Sequence, residues 1–308
     1  MKPTVADRYK VLSVLGSGGM SRVYRAQHVA LGTEVALKLL GDAQHAARIA
    51  REAQAIARLD HPGCVRIRDH GLDEEGAPYL AMELLEGPTL AELAMPIDVE
   101  RAVAIAKQLL SALAHAHAHG VIHRDVKPAN VMFRRGPTSR VVLIDFGLAA
   151  LRDAPALTGA GMAIGSPSYI APERLRGEPY DARADLYAVG VILYELIAGA
   201  RPFEGASPEE VMANAMTRPP RPLRALAPTV APVVEAVIRR ALASDPARRF
   251  ADAEEMMSAL EVATEVIEPD LDPAASVTAI ALERVHPGWV GRLWGRIRYG
   301  AWRWRAQG

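Results

Sequence analysis

The stretch HRDVKPAN at residues 123–130 is polar and carries three charges, yet it lies between the apolar runs LLSALAHAHAHGVI and VVLIDF. Asp125 and Lys127 are two residues apart, so in an extended loop their side chains lie on the same side. A general base and a phosphate-neutralising cation would then flank one reacting group. A second motif, IDFGLA, follows at residues 144–149. Its Asp145 and the earlier Asn130 supply oxygen ligands of the kind that Mg²⁺ prefers, so the two stretches together indicate a phosphate-handling site.

The composition is that of an ordinary globular protein with room for two lobes. The chain has 308 residues, of which 50% are hydrophobic and 23% are charged. Its 36 basic residues balance 36 acidic ones, so bulk charge favours neither a nucleic-acid binder nor a reader of acidic surfaces. Cys64 is the one cysteine, which excludes an intramolecular disulfide and fits a reducing compartment.

The stretch MKPTVADRYK at the start has no apolar region of the signal-peptide type. No run of 18 or more apolar residues occurs anywhere in the chain. We therefore expect a cytoplasmic protein.

Hydrophobic periodicity changes at about residue 86. Before that point, alternating apolar residues and glycine-rich turns predict strands over residues 9–40, and helical spacing predicts a helix at 44–59. Two more strands are predicted at 64–72 and 78–85. This part of the chain is therefore mostly β, with one main helix.

Helical patterns dominate after residue 86. Asp98 is placed to cap a helix over residues 99–119 that Gly120 ends. Two short strand-like runs follow the HRDVKPAN stretch, and residues 181–199 are apolar nearly all round, as in a buried central helix. Three further helices are predicted at about 208–216, 230–242 and 252–265.

These patterns predict an α+β chain with a small, mostly antiparallel β N-lobe and a larger, mostly helical C-lobe. The expected division is an N-terminal extension at 1–8, the N-lobe at 9–86, the C-lobe at 87–265, a linker at 266–287 and a Trp/Arg-rich amphipathic tail at 288–308.

Three further features of the N-lobe become informative beside the HRDVKPAN stretch. Glycine-rich GSGGMSRV lets backbone amides approach phosphates, although alone it is equally well a hairpin turn. Lys38 lies in an apolar strand, where an ammonium needs a partner anion or an exit to water. The chain has five lysines against thirty-one arginines, and two of the five, Lys38 and Lys127, fall in these motifs. Glu52 lies in mid-helix, where pairing with Arg48 on a solvated face is the simplest interpretation.

On these motifs the chain resembles protein kinases, and most of all the bacterial serine/threonine protein kinases of eukaryotic-like type, over about residues 9–262. The resemblance implies the bilobal protein kinase fold and transfer of the ATP γ-phosphate to Ser/Thr hydroxyls of protein substrates, with autophosphorylation of the activation loop. It also implies ATP and Mg²⁺ as cofactors, with Mn²⁺ as an alternative ion.

The resemblance further implies individual roles. Asp125 would be the catalytic base and Lys127 would contact the γ-phosphate, while Lys38 would hold the α- and β-phosphates and pair with Glu52. Asn130 and Asp145 would bind the metal ions. The nucleotide-binding positions would be Leu15, Gly16, Ser17, Gly18, Gly19, Val23, Ala36, Lys38, Met82, Glu83, Leu85 and Met132.

The activation segment matches the family in the same way. Arg124 would bind a phosphate on the activation loop, for which Thr158 is the expected site, and Ser166 would belong to the peptide-docking segment. Glu173 would pair with Arg249. Asp185 would brace the catalytic-loop backbone, and His117 matches a structural histidine of the family. Two positions depart from the pattern, since Ser21 replaces the third glycine and Ser166 replaces the usual threonine.

Two other classes of protein share parts of this pattern. A pseudokinase scaffold would have lost a catalytic residue, but Lys38, Asp125, Asn130 and Asp145 are all present. A small-molecule phosphotransferase of kinase-like fold would lack a peptide-docking segment, whereas this chain contains GSPSYIAPE.

The tail at residues 288–308 lies outside the resemblance. It holds all four tryptophans and five arginines, and no acidic residue occurs from Gly288 onward. Apolar residues recur at helical spacing, which predicts a basic amphipathic helix. Three surfaces could cover its apolar face: the chain's own kinase domain, the anionic inner face of the membrane, or a groove on a partner. The sequence does not indicate an oligomeric state.

Overall fold

The computed structural model describes residues 4–18, 21–40, 46–135, 140–146 and 167–265. The first part of the chain forms a six-stranded antiparallel sheet in the order β1-β2-β3-β4-β6-β5. Its strands are β1 Thr4–Val5, β2 Tyr9–Gly18, β3 Ser21–His28, β4 Glu34–Leu40, β5 Ile67–Leu72 and β6 Pro78–Glu83. β1 pairs with β2, so the sheet begins at Thr4, within the stretch expected to be an extension.

Alternation along β4 shows why this segment is a strand. Val35 and Leu37 are buried in the cluster on one face of the sheet. Ala36 and Leu40 pack on the opposite face, where Leu40 meets the first helix. Lys38 has the same parity as these two residues and is 6% exposed. The strand therefore points one buried charge toward the helical side of the sheet.

Helix α1 Ala46–Ala57 lies against that face of the sheet. Its apolar side, predicted from helical spacing, is buried at Ile49, Ala53 and Ile56. Ile49 and Ala53 form one cluster with Leu40 and Leu80. Burial of this stripe holds α1 in place.

The second part of the chain is mostly helical, as expected. Its helices are α2 Val99–Ala118, α3 Pro172–Leu175, α4 Arg183–Ala198, α5 Pro208–Thr217, α6 Pro232–Ala241 and α7 Ala253–Glu265. A hairpin of β7 Val131–Arg134 and β8 Arg140–Leu143 follows the HRDVKPAN stretch. Across the ranges that the structure describes, no helix is long and apolar enough to cross a membrane.

The ends and contacts of the helices follow from local chemistry. The Asp98 side chain accepts a hydrogen bond from the Arg101 backbone N–H at 2.7 Å and caps α2, and Gly120 ends it with φ 73°. The central helix α4 is buried on nearly all sides, as its uniform apolar pattern predicted. A Cβ at Gly190 would lie 2.8 Å from the Ala241 side chain, so glycine permits the close packing of α4 against α6.

One ion pair is enclosed within this helical core. Arg249 donates from Nη1 and Nη2 to the two carboxylate oxygens of Glu173 at 2.7 and 2.6 Å, as expected from the resemblance. Their side chains are 0% and 2% exposed. Arg249 also donates to the carbonyl of Ala243 and lies over the ring of Tyr187. The pair fixes α3, and the segment before it, to the loop after α6.

Breaking this pair should destabilise the domain strongly. Arg249→Met leaves the Glu173 carboxylate buried without its cation, which we expect to lower the free energy of unfolding by about 3–5 kcal/mol. The matched control is Arg248→Met, because Arg248 is 81% exposed in its pair with Asp245 and should change stability by no more than about 0.5 kcal/mol. Urea denaturation measures both. Equal stabilities for the two variants would contradict the assignment.

Candidate active site

The backbone of the HRDVKPAN stretch is held by one buried carboxylate. Asp185, in the first turn of α4, is 2% exposed and accepts hydrogen bonds from the backbone N–H groups of His123 and Arg124 at 2.8 and 2.9 Å. The ring of His117 lies 2.8 Å from the same carboxylate. Burial acts to raise the pKa of Asp185, but the hydrogen bonds outweigh it and the pKa lies below its ordinary value. The bracing role expected for Asp185 is thus confirmed.

His123 joins the two sequence motifs. Its Nδ1 accepts from the backbone N–H of Asp125 at 3.2 Å, and its Nε2 lies 2.9 Å from the carbonyl oxygen of Ile144. Burial lowers the pKa of His123, which favours the neutral ring. A neutral imidazole accepts at Nδ1 and donates at Nε2, the pattern that these two contacts require. His123 therefore sets the position of Asp125 relative to the segment that carries Asp145.

Two side chains donate hydrogen bonds to Asp125, one from an ammonium group and one from an amide. Lys127 donates from Nζ to Oδ2 of Asp125 at 2.7 Å, and Nδ2 of Asn130 lies 3.0 Å from the same oxygen. Asn130 also donates to the backbone carbonyl of Asp125 at 2.7 Å. The Asp125 side chain is 31% exposed, so a hydroxyl from another molecule can reach it. The contact between Asp125 and Lys127 agrees with their expected placement on one side of the loop.

Across the boundary between the sheet and the helical lobe, called the cleft below, Lys38 finds the anion that its burial requires. Its Nζ lies 2.9 Å from Oδ2 of Asp145, and its side chain is 7% exposed. The contact links β4 of the sheet to the segment after β8.

Two residues of the site have strained backbone conformations. Asp145 has φ 64° and Arg124 has φ 69°, values in the left-handed region that residues other than glycine rarely adopt. Such conformations cost about 1–3 kcal/mol each and concentrate at functional sites.

Glu52 differs from expectation. The resemblance implied an ion pair with Lys38, but Lys38 is bound to Asp145, and Oε1 of Glu52 lies 3.7 Å from Nη1 of Arg124. The physical reason is competition between ions. Asp145 satisfies the buried ammonium, while Arg124 is close enough to α1 to attract the glutamate.

The expected nucleotide-binding residues fall mostly on adjacent strands. Val23 is in register with Lys38, and Ala36 with Met82. Met82 is buried, whereas Val23 and Ala36 are half-buried. Because β4 contacts Asp145 through Lys38, these strands border that boundary on the side of the sheet.

Other expected positions lie around that cleft or outside the described ranges. Leu15 and Gly16 lie on β2, and Leu15 is 50% exposed. Leu85 follows Glu83 in the connection between the lobes, and Met132 lies on β7, where it bridges to Thr89. Ser17 and Gly18 end β2. Gly19, Thr158 and Ser166 lie outside the residues that the structure describes.

The donor set near the cleft suits a hard divalent cation. The amide nitrogen of Asn130 is engaged by Asp125, which leaves its amide oxygen as the group available to a metal. Asp145 adds a carboxylate. An amide oxygen and a carboxylate, with water and phosphate oxygens as further ligands, match the preference of Mg²⁺. The residues present therefore fit the metal that the resemblance implies.

Two further contacts of residues in this region were not foreseen from sequence. Arg174 donates to the backbone carbonyl of Arg124 and so ties α3 to the catalytic loop. Arg134 binds the carboxylate of Glu83 through two hydrogen bonds of 2.9 Å. The partners are 50 and 51 residues apart, and no local spacing signals such pairs.

Comparison with known proteins decides the family. The sequence model described as "Protein kinase domain" matches residues 9–260. The chain belongs to the protein kinase family. This confirms the resemblance and the α+β bilobal fold expected from the motifs. Use of ATP and a divalent metal follows from membership of this kinase family.

Curated relatives include "Serine/threonine-protein kinase pkn3" of Myxococcus xanthus, 42% identical over 274 residues that cover 84% of this chain and 50% of the relative. Another is "Serine/threonine-protein kinase PrkC" of Bacillus subtilis, 35% identical over 267 residues that cover 84% of this chain and 41% of the relative. The chain thus spans half or less of the length of these relatives.

Among solved structures, the chain is similar to a double mutant of the Mycobacterium tuberculosis PknI kinase domain. The match has a TM-score of 0.68 and 31% sequence identity, and it covers 84% of this chain and 96% of that one.

Proposed function

We propose that this chain is an ATP-dependent serine/threonine protein kinase that transfers the γ-phosphate of ATP to hydroxyls of protein substrates. The observation that carries the proposal is the position of Asp125, held by Lys127 and Asn130 in the same part of the chain as Asp145, with Lys38 bound to Asp145 from the sheet across the cleft. A base, a phosphate-neutralising cation and a metal-binding pair are thus fixed before substrate binds. Such fixed groups are what phosphoryl transfer needs, because it depends on positioning and charge stabilisation.

In the proposed reaction the acceptor hydroxyl gives its proton to the exposed Asp125 carboxylate. The hydroxyl oxygen forms a bond to the γ-phosphorus while the bond from that phosphorus to the β–γ bridging oxygen breaks, and ADP leaves. Lys127, 2.7 Å from Asp125, neutralises charge on the transferred group. Lys38 exchanges Asp145 for the α- and β-phosphates, which removes the need for an internal counter-ion.

For the metal we propose Mg²⁺, with Mn²⁺ as a functional substitute, held by the amide oxygen of Asn130 and the carboxylate of Asp145. When bound, the ion neutralises negative charge on the phosphates. The residues Leu15, Val23, Ala36, Met82, Leu85 and Met132 would enclose the adenine, and the backbone of Glu83 to Leu85 would read its edge.

Loss of any one of these charged groups should remove activity. We expect Asp125→Asn, Lys38→Met and Asp145→Ala each to lower phosphate transfer to a generic basic protein by about 100-fold or more, because each removes a base or charge used in the transition state. Transfer from radiolabelled ATP measures this. Asp145→Ala should also weaken metal-dependent nucleotide binding.

The matched control is Lys107→Met, since Lys107 forms a partly exposed pair with Glu261 at 2.8 Å, away from the cleft. We expect this variant to keep its activity. Full activity of any of the three site variants would remove the role given to that residue.

We also propose that phosphate on Thr158 activates the protein through Arg124. Support comes from the pairing of Arg124 with Glu52, because a phosphate dianion binds an arginine more strongly than one carboxylate does. Phosphate at Thr158 would take Arg124 and release Glu52 toward Lys38. Of the other hydroxyls in this part of the chain, Ser168 is 3% exposed and near Arg201, so it is closed to modification in the folded state.

Activation through Thr158 predicts a defined phosphate dependence. Mass spectrometry of protein incubated with ATP should find phosphate at Thr158, and Thr158→Ala should lower activity about tenfold or more, because phosphate ordering of the loop is lost. Phosphatase treatment should lower the wild type to the level of Thr158→Ala and leave the variant unchanged. If Thr158→Ala keeps full activity, this residue is not the switch.

Finally, we propose that residues 266–287 are a linker and that residues 288–308 form an amphipathic helix that binds a surface through its tryptophans. The five arginines in that tail favour an anionic membrane, to which each basic residue contributes about 1 kcal/mol in a salt-sensitive way. The kinase domain's own surface and a partner groove are the competing sites. Membrane binding would place the kinase at the inner face of the membrane.

Tryptophan fluorescence separates these surfaces, because all four tryptophans lie in the tail. Membrane binding predicts a blue shift of the emission only after anionic vesicles are added, reversed by high salt. Vesicles of neutral lipid are the control. Emission that is already blue-shifted in buffer and indifferent to vesicles would instead indicate packing on the kinase domain, and deletion of residues 288–308 would then lower its stability.

A further inference from the structure

A bidentate ion pair joins the end of the N-terminal sheet to the hairpin that follows the catalytic loop. Arg134, at the end of β7, donates from Nη1 to Oε2 and from Nη2 to Oε1 of Glu83, each at 2.9 Å. Glu83 is the last residue of β6 and its side chain is 13% exposed, while that of Arg134 is 40% exposed. Two parallel hydrogen bonds fix orientation as well as distance. The pair therefore sets the angle between the two strands.

A third donor completes the carboxylate of Glu83. The backbone N–H of Arg66 donates to Oε1 at 3.1 Å, and the Glu83 N–H donates back to the Arg66 carbonyl at 2.9 Å. The guanidinium of Arg66 is itself bound to Asp60 at 2.7 Å. Arg134 is therefore the side-chain cation that Glu83 uses.

The same strand, β7, holds the far end of the connection that begins at Glu83. The Phe133 N–H donates to the Pro88 carbonyl at 2.8 Å, and Met132 bridges to Thr89. A Cβ on Gly87 would lie 1.5 Å from the Phe133 carbonyl oxygen, so only glycine permits this approach. Phe133 and Arg134, successive residues of β7, thus bind the residues on either side of the segment 84–87.

We propose that Arg134 is a positioning residue for nucleotide binding: it locks the connection at Glu83–Leu85 onto the strand that carries Met132 and follows Asn130. This rests on the proposed function, in which that connection reads adenine and Met132 forms the opposite wall. The groups that bind adenine come from two sheets, and Arg134 joins them directly. Loss of its two hydrogen bonds would let the connection at Glu83–Leu85 and the strand with Met132 move apart, without exposing buried apolar side chains to water.

The partial exposure of Arg134 shapes the expected outcome. Ion pairs near the surface contribute little to global stability, so removal of Arg134 should weaken nucleotide affinity far more than it lowers the melting temperature. Lysine supplies one point charge and cannot form the two parallel bonds. Arg134→Lys should therefore show a partial loss.

The experiment measures the Kd of ATP in the presence of Mg²⁺ by calorimetry, together with KM, kcat and the melting temperature. We expect Arg134→Gln and Glu83→Gln each to raise Kd and KM about three- to tenfold with kcat changed less than about twofold. The double variant should bind no more weakly than either single variant, because both remove one interaction.

The matched control is Lys107→Gln, which breaks the partly exposed pair with Glu261 between α2 and α7 in the helical part of the chain. It should leave Kd and KM unchanged. The proposal is overturned if Arg134→Gln binds ATP as the control does, if the two single losses simply add, or if kcat and melting temperature fall while Kd stays constant. If Arg134→Gln fails to fold, the Kd of Arg134→Lys is compared with that of the control instead. Equal values would then overturn the proposal.

These outcomes are distinct from failure of the proposed function. A wild type that binds ATP but phosphorylates nothing would refute kinase activity, and the Kd series would still test Arg134. A wild type that binds no ATP would refute both.

Discussion

The buried carboxylate of Asp185 is the contact on which the rest of the site depends. It holds two successive backbone N–H groups of the catalytic loop, and His117 adds a third hydrogen bond. His123, whose backbone Asp185 holds, is hydrogen-bonded both to the Asp125 N–H and to the Ile144 carbonyl. One buried carboxylate on a core helix therefore fixes the position of the HRDVKPAN stretch and of the segment that carries Asp145. An unpaired carboxylate at that depth would be costly, and the loop cannot move away without leaving one. The buried helix α4 carries Asp185 and so holds this carboxylate in a fixed position.

Arg124 contacts three different parts of the chain, and the proposed activation acts through it. Its N–H is bonded to Asp185, its carbonyl accepts from Arg174, and its guanidinium is near Glu52. Its backbone is thus fixed in a left-handed conformation by the core, while its side chain can exchange partners. In the proposed activation, exchange of the Glu52 partner would change the position of α1 while the backbone contacts of Arg124 remain. The Glu83–Arg134 pair lies in a separate part of the cleft, so the two proposals predict independent effects on nucleotide affinity and on activation.

The charged groups of the protein differ in how deeply they are buried, and their roles differ accordingly. The Glu173–Arg249 pair is fully enclosed and serves the integrity of the helical lobe, whereas Asp125 and Lys127 are partly exposed at the cleft. Lys38 is intermediate, since it is buried but faces an anion across the cleft. A buried ammonium whose counter-ion can be replaced by phosphate is well suited to bind nucleotide, because its desolvation has already occurred in the folded protein.

By itself the sequence determined the element types, the family motifs and the residues of the catalytic loop. Helical spacing placed α1 and α2, uniform apolarity marked α4 as buried, and the contact of Asp125 with Lys127 followed from their separation by two residues. The tertiary structure decided which charges meet: Lys38 with Asp145, Glu52 with Arg124, and Glu83 with Arg134. Local pattern reports how one segment presents its side chains, whereas an ion pair between distant segments depends on the packing of the lobes. That packing brings several opposite charges within reach, and distance and burial then select the pairs that form.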